Sequence, residues 1–173
     1  MTRKCRIEIQ NQPLQPSQQS NDTGCMYHSM VSLTGETSLL QYVDDNCHYR
    51  FLIRVMEAGY LLIPLYCNHF QTAEDSYFWK QHFVKCTSEG VSKQKLLVTC
   101  RDLGKVGTLH VIAVHLDFAG LVTVADPKYS SLPSWPLLDF IATDYAKKAV
   151  EISALKSAVL EDYAPIPPTS STP

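Results

Sequence analysis

The chain has 173 residues and a mass of 19.5 kDa, which is one domain's worth at roughly 100–200 residues per domain. Its composition, 45% hydrophobic and 18% charged, is that of an ordinary globular chain and excludes a disordered or fibrous one. With a net charge of −2 there is no basic stripe for nucleic acid, and the longest apolar run, Gly59–Tyr66, is far short of the ~20 residues of a membrane span.

The first ten residues start basic but lack the apolar stretch of a secretory signal. Within them, Cys5–Gln10 alternates polar and apolar residues, as a short strand does. Residues 11–24, rich in Gln, Asn, Ser and Pro, read as a loop. From Cys25 the spacing becomes helical: Met26, Met30 and Leu33 share a face, Asp22 or Thr23 can cap the start, and Gly35 stops the helix. Thr37–Met56 predicts one or two further helices broken near Asp44-Asp45-Asn46. Tyr60–Tyr66 predicts a buried strand, and the aromatic-rich Ala73–Cys86 fits helix or loop. Three strands follow at Lys95–Arg101, Thr108–Asp117 and Leu121–Asp126. The last two are joined by Phe118-Ala119-Gly120, a hairpin signal with Gly at the left-handed position. Beyond the turn Ser130–Ser134, the apolar positions Leu138, Ile141, Tyr145, Ala149, Ile152, Leu155 and Val159 step by three or four, predicting one long amphipathic helix. The Pro/Ser/Thr-rich stretch 164–173 is expected to be a disordered tail after a single domain over residues 1–163.

Six cysteines lie 14–22 residues apart, and no pair has the C-x-x-C spacing of a structural zinc site. A chain with this much apolar content does not need disulfides, so reduced thiols in a reducing cytosol are expected, where a free Cys can act as a nucleophile. Cys25 is the leading candidate. A thiol in the first turn of a helix meets unpaired amides and the positive end of the dipole, which favour thiolate. The hairpin supplies a base and its orienter. His110 begins its first strand, Asp126 ends its second, and the three-residue loop places Ile112 opposite Asp126, with His110 one diagonal step away on the same face. His115 has the opposite parity. Gln18 or Gln19 can place an amide beside the Cys25 N–H and complete an oxyanion hole.

The order Gln, then Gly24-Cys25 at a helix start, then His110 on a strand, then Asp126-Pro127 closing the next strand resembles papain-like (clan CA) cysteine proteases. Leu109–Leu116 with Leu121–Pro127 looks most like the His and Asp region of YopT/AvrPphB-type bacterial effector proteases and of the bacteriocin-processing domains of peptide exporters. The likeness covers two islands, about Gln18–Thr34 and Thr108–Tyr129, and Met26-Tyr27 departs from both subfamilies' patterns. It implies an α+β papain-like fold, a helical lobe carrying Cys25 packed on an antiparallel sheet carrying His110 and Asp126. The roles it implies are Cys25 as nucleophile, His110 as general base and acid, Asp126 as orienter, and Gln19 or Gln18 as oxyanion donor. No cofactor and no metal are implied. The partner is a protein or peptide substrate, which for a bacterial effector means a host protein, ubiquitin conjugates included.

Other readings stand beside this one. Cys47, with His48 next to it, is the rival nucleophile, but neighbouring helical side chains diverge and Asp44 and Asp45 would raise its pKa. His28, one turn from Cys25, reads as lining. Cys67, His69 and His82 make no metal spacing, and Lys147-Lys148 read as a solvated face. The same triad can also serve a transglutaminase, deamidase or acyltransferase. A non-catalytic interaction module, docking through the hairpin and the last helix, is the alternative without chemistry.

Overall fold

A computed structural model describes residues 24–45, 47–68, 77–103, 106–129 and 134–158. The strand expected at Cys5–Gln10, Gln18, Gln19, His69 and the tail from 164 lie outside the described residues. Helix α1 (Gly24–Thr34) buries Met26, Met30 and Leu33, and the chain leaves it through Gly35 at φ 74°, a conformation that costs Gly little. A 3-10 turn (Thr37–Tyr42) leads to α2 (His48–Glu57), which buries Phe51 and Val55. Strand β1 (Tyr60–Cys67) and helix α3 (Tyr77–Ser88) follow, and then β2 (Lys93–Arg101), β3 (Leu109–Asp117) and β4 (Leu121–Ala125). The chain continues through β5 (Ser134–Pro136), two single turns, α4 (Leu137–Phe140) and α5 (Asp144–Lys147), and β6 (Ala149–Ser157).

The fold is α+β, built on one six-stranded antiparallel sheet in the order β1-β6-β2-β3-β4-β5. The β3–β4 hairpin forms as expected, with Asp117 opposite Leu121 and Gly120 at φ 116° in the connection. Two expectations are corrected. Among the described residues the long helix expected from 138 does not form; its second half is β6, which pairs with both β1 and β2. Val150, Ile152 and Ala154 are buried in alternation with Glu151 and Ser153, so the strand period prevails once two neighbours offer ladders. Strand β1 is a sheet edge rather than a buried strand. Its Pro64, which cannot donate to a ladder, sits where a proline is tolerated, next to an irregularity in the pairing with β6.

Helices cover both faces of the sheet. On one side α1, the 3-10 turn and α2 pack with Leu97, Val111 and Ala113. On the other, Trp79 and Cys86 of α3, with Phe140, Ile141 and Ala146, pack on Leu96, Val98, Ile112, Val114 and Ile152. The aromatic joint of that layer is Trp79 edge-on to Phe140 at 4.9 Å. Ile152, 1% exposed between two strands, is a direct probe of the corrected segment. Ile152→Ala is expected to lower unfolding free energy in urea by about 3 kcal/mol, as for a core cavity. A surface helical residue would cost a few tenths.

Candidate active site

The side chains of β3 alternate between the two layers. Val111 and Ala113 face α1, whereas His110 has the parity of Ile112 and Val114 and lies across from Cys100 on the opposite layer. Asp126, the first residue after β4, has the matching parity. The two meet there: His110 Nε2 donates to Asp126 Oδ1 at 2.6 Å, with His110 1% and Asp126 3% exposed. A carboxylate only accepts, so the ring proton sits on Nε2, and proton transfer to a reacting group falls to Nδ1.

Asp126 is held by two further donors. The Lys128 amide donates to Oδ1 at 3.0 Å, the local turn that an Asp-Pro pair favours, and the Tyr145 hydroxyl donates to Oδ2 at 2.8 Å. Burial alone would push this carboxyl up. His110, the Lys128 amide and Tyr145 together outweigh it and hold the group below the usual carboxylate value. Tyr145 belongs to α5, in the segment that reads from sequence as a helical stripe, and nothing in the sequence points from it to Asp126.

Cys25 opens α1 as expected and is fully buried with Met26, Met30 and Leu33. One turn further, Ser29 Oγ donates to the Val111 carbonyl at 3.0 Å, which lays the start of α1 beside the first residues of β3. Helix α1 covers the face of β3 opposite the one that His110 shares with Ile112 and Val114. A cleft of about 200 Å³ on the α1 side reaches Asp126 and is lined by His28, Ser32, Ala125, Pro127 and Tyr129. His28 lines this cleft, and burial holds its imidazole below the ordinary value.

The expectation of reduced thiols holds for Cys47, Cys67, Cys86 and Cys100, which are free. It is corrected for Cys25, which is disulfide-bonded. The physical reason lies in the bond itself: a second sulfur occupies the valence that a thiolate would use. The rival Cys47 stands at the start of α2, but its amide donates to Asp45 Oδ1 at 3.2 Å, which keeps an acid beside the thiol, and the His48 ring stacks on Phe51. His82 contacts Cys86 and Gln94, and Cys67 ends β1 opposite Glu151. Among the described residues no three His, Cys, Asp or Glu side chains cluster as metal ligands.

Neither a protein-family model nor a curated protein matches this chain.

The depressed Asp126 pKa fixes the sign of a pH effect. Its stabilising contribution is complete above the ordinary carboxylate pKa and is lost as pH falls through the lower folded value. Asp126→Asn is expected to lower stability at pH 7 by about 2 kcal/mol, the worth of hydrogen bonds to a charge. That gap should close as urea unfolding is repeated at successively lower pH. A gap that stays constant into acid would show that the carboxylate charge contributes nothing.

Proposed function

We propose that this chain is a papain-like thiol hydrolase that cleaves a peptide or isopeptide bond in a protein substrate. The observation that carries the reading is the buried His110 Nε2–Asp126 Oδ1 hydrogen bond at 2.6 Å, at the end of β3 over which the Cys25 helix begins. An imidazole whose outer nitrogen is tied to a carboxylate is fixed in tautomer and orientation, and the imidazolium formed during reaction is stabilised.

The Cys25 thiolate attacks the scissile carbonyl and a C–S bond forms. The oxyanion is met by backbone amides of the first turn of α1. The C–N bond then breaks as the His110 imidazolium gives its proton to the leaving amine. Water attacks the thioester, His110 takes its proton, and the acid leaves with the thiol restored. A sulfur held in a disulfide cannot begin this sequence, so the reading applies to the chain after reduction. Cys25 has no exposed surface, and a substrate must displace what covers it. The resemblance to effector proteases points to a host-cytosol protein as substrate, ubiquitin conjugates included. No described helix is long and apolar enough to cross a membrane.

Thiol chemistry tests this directly. After dithiothreitol, iodoacetamide should label Cys25 ahead of Cys47 and Cys67, with a pH midpoint below the roughly 8.5 of a free thiol. Without reductant Cys25 should not label. His110→Ala should remove the preference, and both His110→Ala and Cys25→Ser should abolish cleavage of peptides or ubiquitin chains. Uniform labelling after reduction, with no cleavage, would leave a non-catalytic module. Transfer of the acyl group to an added amine would make the enzyme a transferase.

A further inference from the structure

We infer that Tyr145 is the positioning residue of this site, its hydroxyl holding Asp126 Oδ2 so that Oδ1 is turned to His110. The inference deepens the proposed function and rests on His110 being its base.

A buried carboxylate held through one oxygen can rotate and exchange its two oxygens, and the imidazole would follow. Here the division is fixed. Oδ1 accepts from His110 and the Lys128 amide, and Oδ2 accepts from Tyr145 at 2.8 Å. Tyr145 is itself clamped through its backbone. The Cys100 thiol donates to the Tyr145 carbonyl at 3.5 Å, and the buried Trp79 indole N–H donates to the next carbonyl, Ala146, at 3.0 Å. A four-residue helix would not hold a phenol in place by itself, and these two bonds tie it to β2 and α3.

The titratable groups around the pair act consistently. Burial, with Asp126 nearby, pushes the Tyr145 phenol far up, so it remains a donor. Burial, with Asp126 and Asp144 nearby, pushes the Cys100 thiol far up in the same way. Tyr129 is raised by burial and Asp126. Lys128 is buried and lies next to Pro127 in the same turn.

The test is the His110 imidazole titration followed by NMR in the full, reduced chain. Tyr145→Phe keeps the ring and removes the hydroxyl. A carboxylate that loses a donor attracts the imidazolium proton more strongly, so the His110 midpoint should rise by about 0.5–1 in pH. In an Asp126→Asn background, Tyr145→Phe should move nothing. An unmoved midpoint, or the same displacement without the Asp126 charge, would overturn the role. Should Tyr145→Phe not fold, 3-fluorotyrosine incorporated at Tyr145 gives the second reading. Its fluorine resonance should not titrate up to about pH 11 and should shift in the Asp126→Asn chain. Titration near the free phenol value would overturn the inference. Because the His110 readout needs no turnover, a displaced midpoint in a chain that never hydrolyses would refute the hydrolase and leave Tyr145's hold on Asp126 standing.

Discussion

An ionised carboxylate sealed inside a protein is tolerated only when donors replace the water it has lost. Asp126 sets that condition here, and three separate parts of the chain meet it: His110 at the start of β3, the Lys128 amide in the turn after β4, and Tyr145 in α5. Removing any one leaves a buried charge undersupplied, so the hairpin and the α5 turn are constrained together. Helix α5 is a single turn. It serves as the stretch of backbone that delivers one phenol, fastened by Trp79 and Cys100, before the chain turns into β6.

The parts legible in the sequence were those fixed by local chemistry. The hairpin could be read because Gly120 supplies the left-handed turn and because a three-residue loop dictates the parity that puts His110 and Asp126 on one face. Helix α1 could be read from Met26, Met30 and Leu33, and its end from Gly35. Asp126-Pro127 could be read either as a plain turn or as a site. The turn and the imidazole contact coincide, because one carboxylate oxygen takes the Lys128 amide and the imidazole together.

What failed to show was decided by distant neighbours. Ala149, Ile152 and Leu155 step like a helix, while Val150, Ile152 and Ala154 step like a strand, and only the gap between β1 and β2 favours the second pattern. The misreading of that segment hid Tyr145, since a phenol in a helical stripe reads as packing. In the same way, an unbroken apolar run cannot distinguish the interior of a sheet from its edge, although Pro64 in β1 was the residue that marked the difference. Nor does the sequence show which layer Cys25 occupies. Helical spacing gives a buried face, not the side of the sheet it lies against.

The place of β6 bears on how the molecule comes into being. Strand β1 is attached to the sheet through β6, which lies more than eighty residues later in the chain. During synthesis β1 therefore emerges early and waits with its ladder unfilled until nearly all the described chain has left the ribosome. Closure of so long a loop is slow, because its entropy is lost before any pairing repays it. Over that interval an early apolar strand is exposed to wrong partners, and the proline in its middle gives the nascent chain a built-in defence against them.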